Sequence, residues 1–311
     1  MATQTLAMAK LLIQDEIVSG VAQDIIDVNP MFSMLPFTGY EGQAIVVNRE
    51  LALGDAGNYS IGGTITHKTA ATFTQRTFRA TKIIGDAEMD NLVQATSQGG
   101  GVDQLAIEIS SKAKNVGRLF QLGMFTGTGT SPSMNSLHNM IDATQFTTAS
   151  ATSLALSFAL MDELLDKVKS KDGQVDFILM APRTMRSYRT LLRALGGVPG
   201  DWVINMPDGR KVMGYEGIPI FKSDFVPITE KLNGTSITGS ARTSVWAGCW
   251  DDGSNKVGVA AIHPIAVPAG IVTEYIGKKT DFDEEVWRVK WYVNTALFNR
   301  KGLARQANIN N

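Results

Sequence analysis

The chain has 311 residues and a mass of 33.6 kDa, is 44% hydrophobic and 19% charged, and sets Lys+Arg 29 against Asp+Glu 30 for a formal net charge of −1. That apolar content excludes global disorder, and the missing basic excess speaks against a dedicated nucleic-acid binder. One cysteine and three histidines exclude a disulfide scaffold and a thiolate- or histidine-rich metal site.

No apolar run approaches the ~18 residues of a membrane span. Asp15 and Glu16, with no basic stretch before them, are unlike a signal peptide, so a soluble protein of a reducing compartment is expected. Thr5 to Asp27 has the periodicity of an amphipathic helix, with Ile13, Ile17 and Val21 four residues apart and Val18 and Ile25 widening the stripe. Asn29-Pro30 ends it. Such a helix has no core of its own and needs the rest of the chain or a second copy to dock on. A strand over Gln43–Arg49 and an extended stretch over Thr66–Ile84 flank an excursion containing Gly54, Gly57, Gly62 and Gly63. This predicts a two-stranded ribbon with a flexible, polar tip, marginal in water unless it rests on something else.

Gly99-Gly100-Gly101 reads as a hinge before a long helix, Val102–Met124. Val102, Leu105, Ala106, Ile109, Ala113, Val116 and Phe120 share one face, and the helix spans roughly 35 Å. The middle third alternates α and β. Helices are expected over Leu156–Lys171 and over 182–195, the second with Met185, Tyr188, Leu192 and Leu195 as its stripe. A buried strand is expected over Val175–Met180, and short strands over Trp202–Asn205, Lys211–Tyr215, Ile218–Lys222 and Thr243–Ala247. The stretch Glu274–Phe298 ends in a clear alternation, with Trp287, Val289, Trp291, Val293 and Leu297 on one face.

The residues offer no catalytic constellation, and no cofactor or metal ligand is nominated. Thr126–Ser131 is glycine-rich but lacks the Gly-Lys-Ser/Thr ending of a phosphate loop. Asp251-Asp252-Gly253-Ser254-Asn255 lacks the later glutamate of a calcium loop and reads as a turn. Cys249 reads as a small buried hydrophobe and His263 as a strand end. Asp281, Asp283, Glu284 and Glu285 read as a solvated or subunit-contact face. Arg183, Arg186, Arg189 and Arg193 fall near one face of the 182–195 helix. They suit phosphate, acidic groups of an adjacent subunit, or simply solvent.

The succession of parts resembles the major capsid protein of tailed bacteriophages, whose fold encapsulin shells share. Arg79–Asp90 looks like the return from the extended loop, Val102–Met124 like the spine helix, and Phe125–Pro132 like its exit loop. Asp176–Arg183 and Gly217–Ile220 resemble the axial domain. The resemblance implies an α+β fold with an N-terminal arm (1–33), an extended two-stranded loop (47–80) and an α/β axial domain (151–265). The peripheral domain is then discontinuous, 34–46, 81–150 and 266–311, with the spine helix at about 102–124. It further implies a structural shell subunit rather than an enzyme. Heterologous contacts would build pentameric and hexameric capsomers of an icosahedral head around double-stranded DNA, in the virion, after assembly in the host cytoplasm.

The expected partners are other copies of the chain, a portal, a decoration protein, and DNA touched non-specifically, with no membrane. An arm beginning at Met1 without a long charged extension leads us to expect a separate scaffolding protein. The subunit-contact candidates are Ile13, Ile17 and Val21 in the arm, Asn58, Tyr59, Ile61 and Lys68 in the loop, and the four arginines. Lys68 and Asn294 have the chemistry of the covalent weld some relatives make, without matching a family motif. Competing readings are an encapsulin-like compartment with enzyme cargo, an α/β enzyme seated on 151–265, and a tail-tube protein, against which the long helix argues.

Overall fold

The computed structural model describes residues 34–98, 104–148, 154–169, 174–196, 203–206, 211–231, 241–252 and 258–310, together with 209 and 238–239. The amphipathic stretch 5–27 and Gly99–Gly101 lie outside them. The organising element is a 14-residue strand, β13 (Glu284–Leu297), in which Val289, Trp291 and Val293 are buried and Arg288, Lys290 and Tyr292 half-buried. β4 (Thr81–Asp90) runs antiparallel along one side of it, placing Ile83 opposite Trp291 and Ala87 opposite Trp287. On the other side lie β11 (Val259–Pro264), followed by β1 (Phe37–Tyr40), and β12 (Val272–Lys278).

The two faces of this five-stranded sheet differ as period-2 patterning requires. Its apolar face takes the 23-residue helix α2 (Gln104–Thr126), which follows the short α1 (Asn91–Gln98). Phe120 of α2 is fully buried with its ring centroid 4.8 Å from that of Trp291, whose Nε1 donates to Ala269 O at 2.7 Å. The opposite face is polar: the Arg288 fork donates twice to Asp86, at 2.8 and 2.8 Å, and Lys290 pairs with Glu274. Hydrogen bonds from Arg288 hold the Asp86 carboxyl below its ordinary range.

α2 ends at a tight reversal into α3 (Leu137–Met140), with Gly127 N donating to Gly123 O at 2.9 Å and Gly129 N to Met134 O at 2.8 Å. A Cβ on Gly127 would lie 2.3 Å from Met134 O, so only glycine lets the chain fold back here.

The second sheet has seven strands in the order β5-β14-β10-β6-β9-β8-β7. These are β5 (Phe146–Thr148), β14 (Leu303–Ile309), β10 (Thr243–Gly248), β6 (Phe177–Met180), β9 (Ile218–Lys222), β8 (Lys211–Tyr215) and β7 (Val203–Asn205). β6 is buried along its whole length, as a strand covered on both faces must be. Ile178 and Met180 meet α4 (Phe158–Lys169) and α5 (Pro182–Ala194), whereas Phe177 and Leu179 join Phe120 and Trp291 in the larger core cluster. The two sheets therefore share one interior.

Leu303–Ile309 lies inside the seven-stranded sheet between β5 and β10. Val259–Pro264 belongs to the five-stranded sheet, and Phe146–Thr148 sits on the edge of the seven-stranded one. The alternation that begins at Trp287 lies on the long strand β13, beside which β12 pairs antiparallel. Two expected stripe positions are corrected. Leu195 is 63% exposed because α5 stops at Ala194, and Ala106 of α2 is exposed.

Candidate subunit-contact surfaces

β2 (Ile45–Ala52) and β3 (Thr72–Phe78) pair antiparallel from Ile45 opposite Phe78 to Ala52 opposite Thr72, and with no other strand among the described residues. Within the described residues the ribbon is anchored at its base. Ile45 and Phe78 pack with Tyr40 and Phe298, and Tyr40 OH accepts from Ala80 N at 2.9 Å. Arg49 reaches the carbonyls of Phe298, at 2.7 Å, and Leu297. From Leu53 to Ala70 every residue is exposed, the apolar ones included: Leu53 at 79%, Ile61 at 108% and Ile65 at 59%; Phe73, at the start of β3, is exposed as well. Covering side chains of this size is worth about 1.5–3 kcal/mol each, and nothing in the described part of the chain covers them.

The tip is tied together more than its glycines suggest. Asp55 N donates to Thr69 O at 3.0 Å, and the Asp55 carboxylate lies 2.6 Å from His67 Nδ1. Tyr59 OH accepts from the backbone N–H of Thr66 at 3.0 Å and of His67 at 2.7 Å, with the Tyr59 and His67 rings edge to face at 5.9 Å. Gly63 N donates to Ser60 O at 2.9 Å, closing a turn with Ile61 inside it. A Cβ on Gly57 would lie 2.3 Å from His67 Cδ2. Gly57, in a tip expected to be flexible, makes room for the imidazole. Asn58 and Lys68 are exposed beside this cluster. Asn294 is buried, accepting from Asn135 N at 2.8 Å and donating to Arg79 O at 2.6 Å, so its amide is an internal brace.

α5 has a row of cations and no acid in its sequence. Arg186, Arg189 and Arg193 are exposed and Arg183 half-buried. Arg183 Nη2 donates to Ala241 O at 3.1 Å, and Arg189 Nε points at Met213 Sδ, 3.4 Å away. Among the described residues none of the four pairs with a carboxylate. A third surface is a groove of about 330 Å³ between the free edge of β4 and the end of α2. Ile84, Leu119 and Leu122 line it, each more than two-fifths exposed, with Lys82, Gly123 and Pro132. Sequence reasoning missed the groove: Leu119 and Leu122 lie outside the apolar stripe read for this helix and were given no role.

Ionisable groups elsewhere are engaged in holding the fold. Lys279 donates to Glu88 at 2.6 Å and to Glu284 at 2.8 Å, and Asn91 bonds Asp283, so the acidic cluster fastens the β12–β13 turn to the end of β4. Burial, with Asp176 nearby, pushes the Cys249 thiol up to about 11, leaving little thiolate at neutral pH. Among the described residues no group of three or more His, Cys, Asp or Glu could hold a metal ion, and no helix is long and apolar enough to cross a membrane.

Neither a protein-family model nor a curated protein matches the sequence. Solved structures do. The holo-SrpI encapsulin of Synechococcus elongatus PCC 7942 superposes with a TM-score of 0.71 at 15% identity, covering 100% of this chain and 97% of that one. The capsid of Cyanophage A-1(L) gives 0.63 at 11% identity, over 91% of this chain and 93% of that one. The chain carries the fold of tailed-phage capsid and encapsulin shell proteins. A structure of phage G major capsid and decoration proteins agrees, with a TM-score of 0.58 at 10% identity and coverage of 89% and 88%. In the terms of the capsid fold, α2 is the spine helix and the β2–β3 ribbon the extended loop.

Proposed function

We propose that the chain is a structural shell subunit whose copies join head to tail into pentamers and hexamers of an icosahedral phage head around double-stranded DNA. The observation that carries this reading is an extended loop with Leu53, Ile61, Ile65 and Phe73 open to water, on a body with the capsid fold over nearly its whole length. Heterologous contacts close into rings when the rotation permits. The groove presents the exposed apolar side chains Ile84, Leu119 and Leu122 beside Lys82, Thr126 and Ser133, a mixed lining that suits it to receive a neighbour's loop. Obligate interfaces commonly bury more than ~2,000 Å² and resemble a core cut in half. A separate scaffolding protein, a portal and a decoration protein complete the set of partners, with assembly in the host cytoplasm. The chain works by binding, and no reaction is assigned to it.

Negative-stain electron microscopy of the purified chain, alone and with a scaffold protein, is expected to show closed shells or capsomer rings. A monomer under every condition ends the reading. A second reading, an encapsulin-like compartment, draws on the encapsulin superposition, which spans the full chain at the highest of the three TM-scores. Uniform shells formed without any scaffold and holding a cargo enzyme favour the compartment; shells that need a scaffold and protect DNA from nuclease favour the head.

The α5 arginines are proposed to meet acidic groups of an adjacent subunit. Reversing Arg186, Arg189 and Arg193 together to Glu is expected to leave the melting temperature unchanged and raise the protein concentration needed for shells by at least about tenfold. Normal shells that retain less DNA would place the row on phosphate instead.

A further inference from the structure

We propose that Asp55, Tyr59 and His67 are positioning residues that lock the loop tip into one shape, presenting Ile61 to a second copy of the chain. The inference rests on the shell reading and deepens it. A glycine-rich tip left free would have to be ordered at the moment of contact, and ordering it beforehand removes that cost from each of the many contacts in a shell. The tip has the parts for this. The pairing of Asp55 with His67 closes the two limbs, the Tyr59 hydroxyl holds two successive backbone N–H groups, and Gly57 gives the imidazole its place. No other described element packs on the tip, so among the described residues the groups facing His67 are Asp55 and Tyr59 from the opposite limb, with Lys68 adjacent on its own.

Light scattering of the full-length chain would read the concentration at which shells first appear. His67→Ala is expected to raise this threshold about fivefold, the scale of an exposed ion pair, with an unchanged melting temperature. His67→Asn, whose amide nitrogen can stand in for Nδ1, is expected to bring the threshold back close to that of the wild type. A His67→Ala chain with the wild-type threshold overturns the lock and leaves the shell reading intact. A wild type that forms neither rings nor shells overturns both.

Discussion

Replacing residues 53–71 by Asn-Gly is expected to give a chain that folds and melts like the wild type and forms no closed shells. Ala52 and Thr72 already face each other across the ribbon, and Asn-Gly is the two-residue connection that fits the twist of two antiparallel strands. The excised segment contributes nothing to the described core, since every residue from Leu53 to Ala70 is exposed. The anchors of the ribbon stay in place: Ile45 and Phe78 in their cluster with Phe298, and Arg49 on the carbonyls of Leu297 and Phe298. Stability therefore belongs to the base and assembly to the tip. Calorimetry of the shortened chain should match the parent within about 1 kcal/mol, as for surface changes distant from the core. Sedimentation should show only monomers or small oligomers. Shells at the parental concentration would show that the loop is dispensable and would remove the main support for the assembly reading.

How much of this was legible in the sequence depends on how many faces of an element meet water. Where one face is buried and one is not, period alone gives the answer. Val289, Trp291 and Val293 alternate with Arg288, Lys290 and Tyr292, and α2 follows its apolar stripe from Leu105 to Phe120. β14 was illegible for the opposite reason. Leu303–Ile309 is buried on both faces, so nothing alternates, and Arg305, Gln306 and Asn308 inside it imitate a polar tail. The loop tip failed in a third way. Its glycines suggested flexibility, yet once the chain reverses at Ile61, residues nearly equidistant from that turn come together, and Asp55 meets His67. The pairing follows from the register and was available in principle, whereas the space Gly57 leaves for the ring was not. The groove at Ile84, Leu119 and Leu122 joins a strand edge to a helix end across more than thirty positions, and no local pattern encodes it.

The buried polar residues of β14 lead to the largest expected loss of stability. Glu230→Ala is expected to destabilise the chain by about 3–5 kcal/mol, because it removes one partner of an ion pair sealed from water. Arg305 and Glu230 are about 2% and 1% exposed, with Arg305 Nη2 lying 2.9 Å from Glu230 Oε2. Ser244 bridges them, accepting from Arg305 Nε at 2.9 Å and donating to the Glu230 carboxylate. The guanidinium lies between two rings, 4.9 Å from the centroid of Trp246 and 5.4 Å from that of Phe146. Burial pulls the Arg305 pKa down and Glu230 offsets this only in part, yet a guanidinium is so strong a base that it stays charged throughout. It cannot escape the loss of Glu230 by giving up its proton. The cost of the single change is therefore that of an uncompensated charge in an apolar site, far above an ordinary lost hydrogen bond of about 1 kcal/mol. Replacing both partners, Glu230→Leu with Arg305→Met, is expected to recover most of the loss, because no charge is then left inside. Urea unfolding followed by tryptophan fluorescence separates the cases, with Trp246 itself as a reporter beside the pair. A single variant within 1 kcal/mol of the parent would mean that water reaches Arg305. A double variant as unstable as the single one would mean that the pair is needed for its shape, as the pin that fixes Glu230 and the chain around it against β14.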